Sequence, residues 1–302
     1  MLFVPVPVFL WFRMTTFWPE NMLAEFLCCV MVNWLKMAGG GVMLKTELIN
    51  LNAVDLAVVY GLLLLVIGLA RLNKFGQEKD MLIASIRMLV QLIAVGYVLK
   101  LIFALNQPWA VLLILFVMLA VAVQMTVSRV QQQMPGIYRI VGGALFLGCG
   151  CTTFVFCSLI IGLTPWYDPR YLIPLAGMII GNSMTGSSLA AERLTSEIND
   201  RREEIETALS LGISSRKAAQ PAVHSAFRAA LIPTVNSMAA MGIVFLPGMM
   251  TGQILSGTEP LLAVRYQIAI MCVITVSVAL TSSLIVWQGV RSFFNSAHQL
   301  RE

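Results

Sequence analysis

Charge is scarce in this sequence, and acidic charge is scarcest. Fifteen carboxylates and two histidines, His224 and His298, are spread over 302 residues. None of the carboxylates falls in the middle of a long apolar run. Intramembrane ionisable groups are costly and are kept where ions or protons are coupled, so the absence of carboxylates from the middle of these runs speaks against a proton- or sodium-driven carrier. The chain also lacks Asp-rich diphosphate motifs, a Ser-His-Asp or His-Glu-x-x-His arrangement and any G-x-x-x-x-G-K-[ST] loop. A lipid-phase transferase, a hydrolase and a self-contained ATPase are thereby disfavoured. The expectation is no enzyme and no cofactor or resident metal on this chain. The cysteines form no Cys-x-x-Cys pair: Cys28 and Cys29 are adjacent, while Cys149, Cys151, Cys157 and Cys272 sit in apolar runs. There a free thiol behaves as a small hydrophobe. No internal repeat or low-complexity tract is evident.

What the chain has in quantity is hydrocarbon. It is 58% hydrophobic and 12% charged, with a mean hydropathy of +0.83; soluble domains carry roughly twice that charge. Seven apolar segments stand out, at 54–70, 81–104, 108–128, 140–164, 172–191, 229–255 and 261–288. Runs of about 18 or more cross a bilayer as helices, so the fold class is an all-α polytopic membrane protein of about seven spans. The net charge of +5 is then no nucleic-acid signal. Arg71, Lys74 and Lys79, Arg129 and Arg139, Arg193 to Arg228, and Arg291 and Arg301 all fall in alternate connections. Lys and Arg mark the cytoplasmic side, which places the N-terminus outside and the C-terminus inside. Trp109, Trp166 and Tyr167 fall at the outer interface, where amphipathic rings prefer to lie.

Residues 1–42 fit this plan poorly. Leu2–Phe12 is apolar but carries two prolines, and Cys28–Leu35 is too short to span. No basic n-region with a small-residue cleavage site marks a signal peptide. The expectation is an extension over 1–42, disordered or lying ahead of the true start at Met43, followed by a permease domain over 43–302.

The connection over 192–228 is far longer than a turn requires, and such connections are usually functional or disordered. The spacing of Ile198, Ile205, Ala208 and Leu209 predicts one helix over Glu197–Leu211. Its acids cluster early, as the helix dipole favours. Gly212 supplies a stop, Ser214 or Ser215 caps a second short helix, and Pro221 kinks or ends it. The result is a cytoplasmic helix–turn–helix between the fifth and sixth spans. An amphipathic helix lying on lipid headgroups is the alternative.

The order Glu206, Ala208, Gly212 resembles the coupling loop of ATP-binding-cassette importer permeases, with Thr207 where that pattern has alanine. A more specific likeness lies in IPLAGMIIGNSM (173–184), LSLGISSRKA (209–218), RAALIPTVNSMAAMGIVFLPGMMTGQILSGTEPLLAVRYQI (228–268), FGQEKD (75–80) and VQLIAVGYVLK (90–100). Together these resemble the FetB-type permease family over roughly 48–300. The resemblance implies a transporter permease of the bacterial inner membrane, working as a homodimer in membrane lipid with a separate cytoplasmic ATPase that holds ATP and magnesium. It implies roles in iron export and metal homeostasis, while plant relatives linked to aluminium tolerance leave the substrate open. ATPase coupling would fall to Glu206, Ala208, Gly212, Ser215, Arg216 and Lys217.

Candidates for the translocation pathway lie in the last three segments. Asn182 and Asn236 either offer amide groups to the pathway or hydrogen-bond between helices. Met178, Met184, Met238, Met241, Met249 and Met250 either meet a soft ion or fill gaps in packing. Leu246–Gly252, with Pro247, is expected to break the sixth span and serve as a gate, because irregular backbone at membrane depth lines cavities or is buried in protein. Ser237 and Gln267 join this set. Arg265 either snorkels to the outer interface or faces the exit.

Overall fold

In a bilayer every backbone N–H and C=O must find its partner inside the protein, and a helix does so within one segment. The computed structural model describes residues 52–300 apart from 74, 75, 77, 106, 131–133, 135 and 296–298. Among the described residues the regular structure is helical, with only two isolated β-bridges. The extension over 1–42, the start at Met43, and Cys28 and Cys29 lie outside the described residues.

Helices α1 (Ala53–Leu72) and α2 (Glu78–Leu105) are mostly apolar and show no single apolar face, although α2 carries Arg87 and Lys100. Most of their large side chains, Leu62, Leu65, Ile83 and Leu92 among them, are exposed on the chain, as lipid-facing surface should be. Tyr60 donates its hydroxyl proton to the Ser85 carbonyl at 3.2 Å, tying the two together. Helix α3 (Pro108–Arg129) opens with proline in its first turn, where a missing N–H costs nothing. Helix α4 (Ile137–Phe154) continues into a π-helical turn over Val155–Ile161.

Helix α5 (Pro169–Asp200) is the centre of the molecule. Asp168 caps it by accepting from the Arg170 N–H at 3.0 Å, and Pro169 follows at the first position. Beyond it lie α6 (Arg202–Ser210), α7 (Ser215–Ala218), α8 (Gln220–Ala240), α9 (Gly248–Leu255) and α10 (Pro260–Phe293). The most extensive packing joins α5 to α10 and α8, with α3 and α4 closing the other sides.

Among the described residues five helical stretches are long and apolar enough to cross a membrane: Val54–Leu72, Glu78–Leu105, Pro108–Arg129, Ile137–Ile161 and Pro260–Phe293. The other two expected spans differ in kind. The 32 residues of α5 give ample length, but small polar residues along one stripe lower its apolarity. The expected span over 229–255 is interrupted at Met241–Pro247, between α8 and α9.

Small residues let α5 and its neighbours approach. Lipid supplies no hydrophobic force between helices, so contact must come from close packing and interhelical hydrogen bonds. Ser183, Ser187, Ala190 and Ala191 are fully buried. Ser183 and Ser277 of α10 share a hydroxyl hydrogen bond at 2.8 Å, and the Ser277 hydroxyl also reaches the Cys149 sulfur at 3.7 Å. Cys149, Cys151, Cys157 and Cys272 are free thiols, as their apolar settings suggest.

Gly186 marks the tightest point on α5. A Cβ placed there would stand 2.6 Å from Val278 Cγ1 and 3.3 Å from the Ala230 carbonyl oxygen, squeezing α10 and α8 together. Gly181, one and a half turns earlier, has open space at the same atom. Gly186→Ala is expected to lower stability by about 1–3 kcal/mol through overpacking. Gly181→Ala is expected to be neutral or slightly stabilising. Thermal unfolding of the two variants in detergent, read side by side, checks this.

Candidate functional site

The polar connection between α5 and α8 is shorter and more ordered than its sequence suggests. Helix α5 runs on to Asp200 and α8 begins at Gln220, so only 201–219 stand between the long helices. The expected helix over Glu197–Leu211 is two helices, with the chain bending at Arg201 (φ −107°, ψ 23°). Ile198 before the bend and Ile205 after it still enter one apolar core, at 2% and 3% exposure. Glu203 and Glu204 occupy the first turn of α6, where its dipole favours them.

Gly212 ends α6 in a Schellman motif. Its own N–H donates to the Leu209 carbonyl at 3.0 Å, and the Ile213 N–H donates to the Ala208 carbonyl at 3.0 Å. Its φ of +84° lies where side chains strain the backbone, and glycine relieves that strain. No atom of the chain lies within 4 Å of a Cβ built there. Conformation, and not crowding from within, accounts for this glycine.

The other coupling candidates occupy the same corner. Glu206 is half exposed and accepts from Arg202 Nε at 2.9 Å. Ala208 lines a small cavity of about 230 Å³ with Ile213, Lys217, Ala218 and Pro221. Ser214 precedes α7 without a side-chain cap bond, and Ser215 is its first residue. Arg216 and Lys217 are exposed and border a larger cavity beside α8 and α10. Pro221 neither kinks nor ends a helix: it sits in the first turn of α8, where its missing N–H is harmless.

Sequence reasoning missed the tip of this corner. Leu211 and Ile213 flank Gly212 and are 77% and 42% exposed, although the segment around them is polar. The signal was present as a Leu-Gly-Ile triplet inside a charged connection.

It also missed the brace beneath. Arg193 Nη2 pairs with Glu197 Oε1 at 2.7 Å, and Arg201 Nε with Oε2 at 2.9 Å. Ser225 of α8 donates to Glu197 Oε1 at 2.8 Å and accepts from Arg193 Nε at 3.0 Å. The Arg193, Glu197, Arg201 spacing was readable as i,i+4 pairing; Ser225 was not. The Ser225 hydroxyl, then the two guanidiniums, hold the Glu197 carboxyl below the usual carboxylate range against the opposing effect of burial.

The pathway candidates separate into three settings. Met178, Met184 and Met249 pack against the core. Asn182 is exposed and donates to its own helix, at the Met178 carbonyl, with no interhelical bond among the described residues. Asn236 and Met238 lie on the exposed side of α8, Met238 accepting from Thr275 Oγ1 at 3.2 Å, while Ser237 is half-buried. At the break, Gly242 (φ +82°) donates to the Phe245 carbonyl at 2.9 Å. Pro247 precedes α9, so Met249, Met250 and Gly252 are helical and the irregular backbone is Met241–Pro247, ahead of the expected Leu246–Gly252. A left-handed Gly242 after α8 fixes the earlier start. Gln267 is buried and donates to Met241 Sδ at 3.8 Å, leaving its carbonyl oxygen without a partner. Arg265 is exposed on the first turns of α10. Among the described residues no three His, Cys, Asp or Glu side chains gather as a metal site.

Long apolar helices packed on a polar-striped centre, with one ordered polar corner, define a polytopic helical membrane protein. The chain belongs to the family described as Uncharacterised protein family (UPF0014), whose family model matches residues 53–294. It is 40% identical to the UPF0014 membrane protein slr1647 of Synechocystis over 261 residues, covering 85% of this chain and 99% of that one. It is 39% identical to the UPF0014 membrane protein YjkA of Bacillus subtilis, covering 83% and 99%. With the probable iron export permease protein FetB of Escherichia coli it shares 33% identity, over 83% and 95%. No solved structure matches the chain.

The Glu197 brace carries a pH dependence whose sign follows from its depressed pKa. The carboxylate contributes stability above the unfolded glutamate value of about 4.3 and loses it as pH falls through the lower folded value. Both arginines are near half exposed, so the effect is about 1 kcal/mol or less. Glu197→Gln is expected to melt earlier than wild type at pH 7, with the gap closing toward pH values below the folded pKa. Melting curves of both proteins across that range check it.

Proposed function

We propose that the chain is the membrane-spanning permease subunit of an ATP-driven transporter, exporting iron or another metal ion across a bacterial inner membrane. The observation that carries the reading is the Leu211–Ile213 tip: apolar side chains held out from a polar corner by a left-handed glycine. Such a tip suits insertion into a cleft of a cytoplasmic ATPase subunit. The likeness to a probable iron export permease supports the transport reading and its cargo, and the membrane-crossing helices supply the route. Positive-inside logic assigns the basic end, with α6 and α7, to the cytoplasm.

In this reading two permeases face each other and two ATPases bind ATP and magnesium below them. Closure of the ATPases moves Glu206–Ala218, and the Glu197–Ser225 brace passes that motion jointly to α5 and α8. A metal ion in transit meets amides and thioethers from Asn182, Asn236, Met238 and Gln267, groups that hold it weakly enough for release. The break at Met241–Pro247 is the place where α8 and α9 change their mutual angle.

Glu206→Lys and Gly212→Val are expected to leave the protein folded in the membrane while lowering transport at least about tenfold, with ATP hydrolysis no longer tied to cargo. Transport in membrane vesicles, read beside ATPase activity, checks this; full transport in both variants refutes the docking assignment. Copurification of an ATPase subunit separates this reading from an ATPase-independent carrier or channel.

A further inference from the structure

Beside the coupling corner, α5, α7, α8 and α10 enclose a cavity of about 1260 Å³. Arg193, Arg216, Lys217, Arg228 and Arg291 line it, together with His224, and among the described residues no carboxylate does. Arg193 is offset by Glu197 behind it. Arg216, Lys217 and Arg228 have no ion-pair partner among the described residues. Arg291 stacks its guanidinium over the Trp287 ring at 3.7 Å.

The walls below this basic mouth are apolar. Val223, Phe227 and Ile232 come from α8, and Val286, Trp287 and Val290 from α10. Ile232 and Trp287 are 48% and 47% exposed, so the walls continue onto the outer face of the helices. The cavity is therefore amphipathic: Arg216, Lys217 and Arg291 lie toward the helix ends, Arg228 two turns into α8, and the lining beyond Arg228 toward Ile232 is hydrocarbon.

Each alternative occupant conflicts with one half of this lining. A free metal cation meets uncompensated positive charge. A second copy of the chain, placed by a twofold axis, would bring the same arginines against themselves. A water-soluble anion would satisfy the cations and leave the walls wet. An amphiphile with a negative head satisfies both halves.

We propose that this cavity is a binding site for one anionic phospholipid. Its phosphate sits among Arg216, Lys217 and Arg228, and its acyl chains run along Phe227, Ile232, Val286 and Trp287. Arg291, held by Trp287, closes the headgroup side. The inference rests on the lining and not on the transport reading, although Arg216 and Lys217 belong to both.

The test uses the full chain in nanodiscs of phosphatidylcholine mixed with phosphatidylglycerol, followed by native mass spectrometry of retained lipid. About one phosphatidylglycerol per chain is expected, preferred at least tenfold over phosphatidylcholine. Each Lys or Arg beside anionic lipid contributes roughly fivefold. The triple variant R216Q/K217Q/R228Q is therefore expected to lower that preference to about threefold or less. The control triple R87Q/K100Q/R129Q, at exposed cations on α2 and α3, is expected to keep it. Equal loss in both triples, or no loss in the first, overturns the proposal. Inorganic phosphate raising the melting temperature as much as phosphatidylglycerol also overturns it, pointing to a soluble anion. A readout on the unmutated protein covers a variant that fails to fold: phosphatidylglycerol with a photoreactive acyl chain should label α8 and α10 around Phe227, Ile232 and Trp287. Labelling confined to α1 and α2 refutes the site.

Discussion

The close approach of α5 to α10 is the constraint from which the rest of the structure follows. Helices in lipid gain nothing from hiding hydrocarbon against hydrocarbon, so they must gain from contact distance and shared hydrogen bonds. Gly186 and the Ser183–Ser277 bond supply both. Because that contact exists, α5 can carry a stripe of hydroxyls within the core, and α3, α4 and α8 can pack on its remaining faces. The outer pair α1 and α2 adds little to this core, and most of its large apolar side chains stay exposed on the chain.

The basic end of the molecule concentrates what the core leaves unused. Glu197 ties α5 to α8 through Ser225, with Arg193 and Arg201 clamping the carboxylate from both sides. The corner formed by α6 and α7 hangs from this brace, its tip outward and its small cavity beneath. A force applied at Gly212 therefore reaches two long helices through one carboxylate. Arg193 and Ser225 of the same brace also line the amphipathic cavity, so a lipid seated there would touch the tie between α5 and α8.

Helical class, membrane residence and the uneven placement of cations were legible in the sequence, because each depends on long runs and summed composition. Gly212 was legible too, since a glycine after a helical pattern is the common left-handed stop. The bend at Arg201 was not: Ile198 and Ile205 keep helical spacing across it, and only the third dimension shows the turn. The start of the break at Met241 was hidden because Pro247 drew attention downstream, whereas Gly242 ends α8. Pro221 was ambiguous for the opposite reason, since proline opens a helix as readily as it closes one. The brace needed Ser225, which has no fixed spacing to Glu197. Which amides and thioethers face a pathway depends on exposure around α8, and periodicity does not report it.

The polar stripe of α5 also sets an order on how the protein is made. Residues leave the ribosome from the N-terminus, so α5 reaches the bilayer before Ser277, Val278 and Thr281 of α10 exist. During that interval Ser183 has no Ser277 to bond, and a helix of this composition gains little by entering lipid alone. Close packing of the α5 stripe therefore depends on a segment synthesised after it. The residues that make the mature core tight are the ones that make its assembly wait.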